Sequence, residues 1–162
     1  MAKLLIYVSK TGVTESVAND ILKGTDESVD VFNLYESAPK SLDAYDTVIM
    51  GAPTYMGRAH KTMRKWVKTH RDTLKEKILY FYIVGADHET DVDAVLKASY
   101  PEDLIDCATR KSHCGGAFRF DRMSFLSRFI IKKVAKSKAA ESFEPTLDEQ
   151  EIKALIKALN TQ

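Results

Sequence analysis

Three hydroxyl side chains and a glycine stand near the amino end of the chain, directly after an apolar run. Ser9, Thr11, Gly12 and Thr14 follow the apolar residues 4–8, and an amphipathic pattern comes next. A loop at which a strand becomes a helix presents unpaired backbone N–H groups and the positive end of the helix dipole, and both attract an anion. The segment therefore predicts a phosphate-binding loop, for which a nucleotide monophosphate is the simplest ligand.

Two further loops follow apolar runs and carry residues that suit a flat ring. The first consists of Pro53, Thr54, Tyr55, Met56 and Gly57, and the second begins with Gly85, Ala86, Asp87 and His88. In open parallel sheets a ligand binds beyond the carboxyl ends of the strands. An aromatic side chain in one loop and a flexible backbone turn in the other predict a planar group held above the phosphate.

Strand and helix patterns alternate along the chain, which predicts a parallel sheet covered on both faces. The predicted strands are residues 3–8, 29–34, 47–52, 78–84 and 112–118. The predicted helices are residues 13–23, 59–70, 92–99, a short helix that reaches Ala108, residues 124–136, and a last helix that a capping box at Thr146 to Glu149 begins. The spacing of the helix at 59–70 predicts a buried face formed by Ala59, Met63, Trp66 and Val67.

Composition is typical of one globular domain. The chain has 162 residues, of which 44% are hydrophobic and 29% are charged, so we expect a single domain over residues 1–162. No apolar run has the length of a membrane-spanning helix, and the first residues do not form a secretory leader, so we expect a cytoplasmic protein.

Cys107 and Cys114 lack the spacing of a metal or redox motif, which predicts two buried reduced thiols.

The net charge of +1 is unevenly distributed. Residues 58–77 hold eight Lys or Arg and two acidic residues, and residues 119–138 hold seven and one. The rest of the chain is acidic. Each basic segment suits an anionic partner or a membrane surface, and an ordinary solvated helix face is the alternative for either one.

The loop residues resemble those of the flavodoxin family. The phosphate loop of that family has the form Ser/Thr-x-Thr-Gly-x-Thr, and its third-strand loop carries an aromatic residue that stacks on FMN. This chain has both elements in that order, and the resemblance covers nearly all of its length. It implies an α/β flavodoxin-like three-layer sandwich, with a five-stranded parallel sheet in the order 2-1-3-4-5, helices on both faces, and FMN as the cofactor.

The resemblance assigns roles to individual residues. It implies that the phosphate is held by hydroxyls and amides in the loop made of Ser9, Lys10, Thr11, Gly12, Val13 and Thr14. A second loop consists of Pro53, Thr54, Tyr55, Met56 and Gly57, and its residues Thr54 and Tyr55 would approach the isoalloxazine. Tyr55 as an ordinary exposed loop residue is the alternative. Main-chain groups of Gly85, Ala86 and Asp87 would meet the pyrimidine edge. Neither a catalytic side chain nor a metal ligand is expected.

The chain departs from electron-carrier flavodoxins in two ways. Those proteins are strongly acidic and usually present an aromatic residue from the loop after the fourth strand, whereas this chain is near neutral and has no Tyr or Trp between Gly85 and Tyr100. Less negative charge near the flavin predicts a less negative second reduction potential.

A later segment of the chain makes the resemblance more specific, to one group of flavodoxin-type proteins. Residues 115–120 read Gly-Gly-Ala-Phe-Arg-Phe, and an aromatic-rich basic stretch runs from Ser124 to Lys136. The pattern looks like the flavodoxin-type, quinone-linked protoporphyrinogen dehydrogenases of bacteria. That resemblance implies oxidation of a porphyrinogen and transfer of electrons to a membrane quinone, with membrane-surface contact through the basic stretch and a location at the inner face of the membrane. An ordinary sheet-covering helix is the alternative for the stretch.

Several functions remain open at this point. An electron carrier would exchange electrons with a redox partner protein, and an enzyme would oxidise a porphyrinogen or reduce a quinone. His60 and His88 are candidate proton carriers, and ordinary surface histidines are the alternative.

A receiver domain would need paired acidic residues after the first strand, where Ser9 and Thr11 stand instead. No nucleic-acid-binding motif is recognised, so we expect no nucleic-acid partner.

Overall fold

Five strands of the chain pair in parallel at the centre of the molecule. The computed structural model describes residues 2–9, 12–86, 90–116 and 147–162. The parallel strands are β1 (Lys3–Tyr7), β2 (Val29–Asn33), β3 (Thr47–Tyr55), β5 (Ile78–Val84) and β6 (Arg110–His113). Their spatial order is β2-β1-β3-β5-β6, and a two-residue strand β4 (Arg58–Ala59) pairs with β3 in antiparallel fashion. With β4 left aside, the predicted order is confirmed.

The central strands are apolar on both sides because helices cover both faces of the sheet. All five residues of β1 are buried. Leu5 pairs with Ile49, which pairs with Tyr80, so these three side chains stand side by side on one face. Ile6 and its partners along the sheet occupy the opposite face, since successive side chains of a strand alternate.

The helices complete two outer layers. On one face lie α1 (Val13–Gly24) and α6 (Glu149–Asn160), and on the other lie α2 (Lys61–Thr69), α3 (Arg71–Leu74), α4 (Val92–Ser99) and α5 (Glu102–Asp106). Each layer closes its own apolar cluster against the sheet. The predicted three-layer sandwich is confirmed, and so is the buried face made of Ala59, Met63, Trp66 and Val67.

A hairpin after β3 corrects two predicted boundaries. The third strand continues to Tyr55 instead of ending at Ala52, and helix α2 begins at Lys61 because Arg58 and Ala59 form β4. The reason is a two-residue turn in which Met56 (φ 52°) and Gly57 (φ 75°) both have positive φ. Turns with this backbone bring the chain back along the strand that it leaves.

The carboxyl-terminal third also differs from the prediction. The last parallel strand begins at Arg110 and ends at His113, so it starts and stops earlier than residues 112–118. The N-cap of α6 is Asp148, whose carboxylate accepts a hydrogen bond from the Glu151 amide at 3.0 Å, so the helix is capped two residues later than the predicted box. The predicted basic helix from Ser124 to Lys136 lies outside the described residues.

The two cysteines have different surroundings. Cys114 is buried, as predicted, in the layer formed by α1 and α6. Cys107 is exposed, so the prediction was wrong for this residue. It follows the end of α5, a helix that buries Leu104 and Ile105 against the sheet and leaves its last residue, Asp106, exposed.

Candidate functional site

The loop between β1 and α1 forms an open helix terminus. Gly12 is the N-cap of α1 and has the left-handed φ of 83°, a conformation that favours glycine. The Gly12 amide donates to the Ser9 hydroxyl at 3.0 Å, which folds the loop over the helix start. No described side chain caps this terminus, so the amides of its first turn face the loop. Lys10 and Thr11, the other predicted residues of this loop, lie outside the described residues.

A buried tyrosine anchors the start of α1 on the sheet. The Tyr82 hydroxyl, in β5, donates to the backbone carbonyl of Thr14 at 3.2 Å. Burial raises the pKa of Tyr82 well above its usual value, and Cys114 and Tyr7 raise it further, so the hydroxyl stays a neutral donor. Gly51 makes room for the ring, because a Cβ at Gly51 would lie 1.9 Å from Tyr82 Cζ. The sequence prediction missed this pair, since neither residue lies in a loop.

The hairpin between β3 and β4 carries the predicted aromatic residue. Thr54 pairs with Ala59 and Tyr55 with Arg58, so Tyr55 is the last paired residue before the turn. Its side chain is 54% exposed and Met56 at the tip is fully exposed. The hairpin therefore presents Tyr55 at the carboxyl edge of the sheet, where the sequence placed a ring-stacking residue.

His60 holds the base of this hairpin. Its Nδ1 accepts from the Thr62 amide at 3.1 Å and so caps α2, and its Nε2 lies 2.8 Å from the Tyr35 hydroxyl. Because Nδ1 is an acceptor, the neutral ring carries its proton on Nε2 and donates it to Tyr35. The Tyr55 ring meets the imidazole edge-on, with centroids 6.0 Å apart. These contacts favour a structural role for His60 over the predicted alternative of proton transfer. His88 lies outside the described residues.

Glycines bring the end of β3 into contact with the loop after β5, and that loop into contact with the one after β6. A Cβ at Gly85 would lie 2.3 Å from the Thr54 hydroxyl oxygen, and the Gly85 amide donates to the Gly115 carbonyl at 2.9 Å. A Cβ at Gly116 would lie 2.5 Å from the carbonyl carbon of Gly85 and 2.8 Å from the Ala86 nitrogen. The predicted residues Thr54, Gly85 and Ala86 are thus brought together, whereas Asp87 lies outside the described residues.

Gly115 and Gly116 belong to this junction and were not predicted as site residues. The signal was present as a pair of adjacent glycines, which the prediction placed inside the strand 112–118, whereas they follow the observed end of β6 at His113. Such a pair allows two backbones to approach closely, and Gly115 also has a positive φ of 74°.

Tyr7, at the end of β1, is a buried neutral donor that contacts α1. The Tyr7 hydroxyl donates to Glu15 at 3.4 Å, and burial, followed by the charge of Glu15, raises the pKa of Tyr7 to about 12. Among the described residues no group of three His, Cys, Asp or Glu side chains could hold a metal ion. A helix start after a glycine-containing loop, at the same edge of the sheet as two further glycine-containing loops, is chemically suited to a phosphorylated planar group.

Residues 4–144 match the flavodoxin domain family. Among curated proteins, the chain is 26% identical over 150 residues to protoporphyrinogen IX dehydrogenase [quinone] of Escherichia coli, covering 88% of this chain and 83% of that protein. It is also 31% identical over 108 residues to a flavodoxin of Trichodesmium erythraeum, covering 60% of this chain and 63% of that protein.

The fold is also similar to a solved flavodoxin. The solution structure of two-electron reduced Megasphaera elsdenii flavodoxin aligns over 100% of both chains with a TM-score of 0.61 at 16% identity. Within the described part of the chain, no helix combines the length and the apolarity that crossing a membrane requires. The match over most of the sequence shows that this chain belongs to the flavodoxin family, which confirms the predicted fold, FMN as the cofactor and electron transfer as the class of function.

Proposed function

We propose that FMN binds at the carboxyl edge of the sheet, across the three loops described above. The phosphate lies at the start of α1, and the ring lies between the hairpin and the loop after β5. The residues assigned to the phosphate are Ser9, Lys10, Thr11, Gly12, Val13 and Thr14, and those assigned to the ring are Pro53, Thr54, Tyr55, Met56, Gly57, Gly85, Ala86 and Asp87.

The observation that carries this proposal is the contact between Thr54 and Gly85. It brings the hairpin to the loop after β5 at the carboxyl edge of the sheet, the same edge at which α1 begins after β1. The residues fit FMN, since the positive end of the α1 dipole, which begins after Gly12, suits a phosphate dianion, and the exposed Tyr55 ring suits a flat heterocycle. Bound FMN supplies one- and two-electron transfer, while the protein positions it.

Comparing FMN with riboflavin tests the phosphate assignment. We expect wild-type protein to be purified yellow and to bind FMN far more tightly than riboflavin, which lacks the phosphate. In Gly12→Ala a side chain at φ 83° strains the loop, so FMN affinity falls about tenfold or more while riboflavin affinity changes little. Flavin fluorescence titration measures both constants.

A matched variant separates the phosphate from the ring. Gly116→Ala displaces the backbone at Gly85 and Ala86, so we expect it to weaken FMN and riboflavin by similar factors. A colourless protein that does not bind FMN would contradict the whole proposal. An unchanged ratio of FMN to riboflavin affinity in Gly12→Ala would contradict the placement of the phosphate.

The Escherichia coli relative supports a second candidate function, because it aligns with 88% of this chain. In this proposal the protein removes two electrons and two protons from a porphyrinogen and transfers them to a quinone, which becomes a quinol. The flavin would accept a hydride, which carries both electrons and one proton, and the second proton would pass to water, since both His60 nitrogens are already engaged.

Anaerobic mixing distinguishes the two functions. If protoporphyrinogen bleaches the bound flavin and an added quinone restores the colour, the protein is an enzyme of this type. If only a flavodoxin reductase bleaches it, the protein is an electron carrier with a redox partner protein. Deletion of residues 124–136 would then test the proposed membrane-surface contact, with vesicle sedimentation as the measurement.

Two broader predictions remain part of this proposal. We propose that residues 1–162 form a single flavodoxin-like domain, which the match over residues 4–144 supports. We also propose a cytoplasmic location, with peripheral attachment to the inner face of the membrane if the quinone-linked function applies. Fractionation of cells that produce the tagged protein checks the location.

A further inference from the structure

A groove of about 500 Å³ lies between α2 and the turn that joins α4 to α5. We call it the basic groove. Its floor includes Tyr100 and Pro101, and its walls carry the cationic side chains of Arg58, Lys61, Arg64, Lys65, Lys68 and Arg71. No acidic side chain lines it among the described residues.

One end of the basic groove adjoins the proposed flavin site. Arg58 lies in β4, where it pairs with Tyr55 across the hairpin. From there the groove follows α2. The four basic residues of this helix that line the groove are spaced three or four positions apart, so they share one side of the helix: Lys61, Arg64, Lys65 and Lys68. Helix α2 is about 13 Å long at 1.5 Å per residue, which matches about four residues of extended chain.

Among the described residues, the positive charge of the groove is compensated by a carboxylate at its far end. Arg71 pairs with Asp103 at 2.8 Å. Arg58 and Arg64 donate through Nε to the backbone carbonyls of Ala98 (3.1 Å) and Ala59 (3.0 Å), which are neutral acceptors.

The three lysines of α2 complete this pattern. In the described part of the chain, Lys61, Lys65 and Lys68 have no carboxylate within ion-pair distance, and all three are exposed. The end of the groove near the hairpin therefore holds several like charges at close range, with no counter-charge from the residues that the structure describes. Bringing carboxylates to it relieves their repulsion.

We propose that the basic groove docks an acidic segment of a partner protein and so holds that partner beside the edge that carries Tyr55. A protein segment fits because the groove is concave and long, whereas a flat bilayer would touch its ridges and leave the floor at Tyr100 and Pro101 uncovered. The docking follows from shape and charge alone. That the docked partner exchanges electrons with the flavin rests on the proposed function.

An acidic peptide tests the docking directly. The probe is a fluorescein-labelled peptide of eight glutamates, titrated with FMN-loaded full-length protein and followed by fluorescence anisotropy at low and high salt. We expect binding at low salt that high salt abolishes. The triple variant Lys61→Glu, Lys65→Glu, Lys68→Glu should weaken binding about tenfold or more, since it replaces three attractive contacts with repulsive ones.

The matched control changes the same charge elsewhere. Lys23→Glu, Lys153→Glu, Lys157→Glu alters exposed lysines of α1 and α6, on the other face of the sheet, and should change binding less than about twofold. If the groove variant does not fold, as judged by circular dichroism, the corresponding Lys→Gln variant replaces it and should show a smaller loss in the same direction.

Three outcomes would overturn the docking proposal. The first is no binding of the peptide to wild-type protein, and the second is equal weakening in both triple variants, which would reveal attraction by overall charge. The third is binding of vesicles containing 30% phosphatidylglycerol with the same dependence on the three lysines and no binding of the peptide, which would assign the groove to membranes. A wild-type protein without FMN would contradict the proposed function, and the peptide titration would still decide the docking.

Discussion

Gly51 and Tyr82 together determine how the start of α1 sits on the sheet. A methyl group at Gly51 would lie 1.9 Å from Tyr82 Cζ and 2.2 Å from its hydroxyl oxygen, and the ring is fully enclosed. We expect Gly51→Ala to cost about 1–3 kcal/mol of unfolding free energy, as overpacking does in other cores. Denaturant unfolding measures the loss.

Tyr82→Phe is the matched variant for this contact. It keeps the ring and removes only the hydrogen bond to the Thr14 carbonyl, so we expect a loss of about 0.5–1.5 kcal/mol. FMN affinity should fall in both variants, because both disturb the first turn of α1. If Gly51→Ala is as stable as wild type, the packing around Tyr82 is looser than the structure shows.

The two thiols should differ in reactivity. Burial, with the charges of Glu151 and Asp148 as further causes, raises the pKa of Cys114 to about 12, so its thiolate is scarce at pH 8. Cys107 is exposed. A chromogenic disulfide reagent should modify one thiol per native chain and two in denaturant, and Cys107→Ser should reduce the native value to zero. Two reactive thiols in the native protein would contradict the enclosed position of Cys114.

At the scale of secondary-structure elements, ion pairs join α5 to the first residue of α3 and to the residue that follows its end. Asp103 accepts from Arg71 at 2.8 Å and from Lys75 at 2.7 Å. These cations hold the pKa of Asp103 well below its ordinary value of 3.8. A carboxyl group whose pKa is lowered on folding stabilises the protein above its unfolded pKa, and the contribution is lost as the pH falls below that value.

Asp103→Asn should therefore lower the thermal midpoint at pH 7 and have progressively less effect as the pH falls below about 4. The pairs are partly exposed, so high salt should also reduce the difference. Thermal unfolding of both proteins between pH 7 and pH 3 measures this. Asp20→Asn, at an exposed position of α1, serves as the control and should show no such pH dependence. A constant difference at every pH would indicate a loss unrelated to the charge of Asp103.

The whole molecule has a net charge of +1, and its basic groove adjoins the proposed flavin site. Reduction adds negative charge to the flavin, so nearby cations favour it and nearby anions oppose it. We expect a less negative second reduction potential than that of a strongly acidic flavodoxin titrated in parallel. The triple Lys→Glu variant of the groove should shift it to a more negative value. Spectroelectrochemical titration checks both expectations, and equal potentials in all three proteins would refute them.

Much of the element pattern was predictable because it is local. Helix α4 spans the predicted residues 92–99, and Trp66 is buried where helical periodicity placed it. Apolar runs such as 4–8 and 78–84 become strands covered on both faces, since only a two-sided core accommodates such runs. The loop before α1, to which we assign the phosphate, stands out for the same reason: its hydroxyls and its glycine are close together in the chain.

The amino-acid sequence by itself determined the alternation of elements, the two faces of the core and the loop that precedes α1, because each depends on periodicity or on neighbouring residues. Only the tertiary structure decided that Tyr82 reaches Thr14, that Gly116 packs on Gly85, and that the lysines of α2 border one groove with Arg58. Those contacts join residues that are far apart in the chain. They depend on the register of the strands and on the spacing between backbones, and no local sequence pattern encodes either.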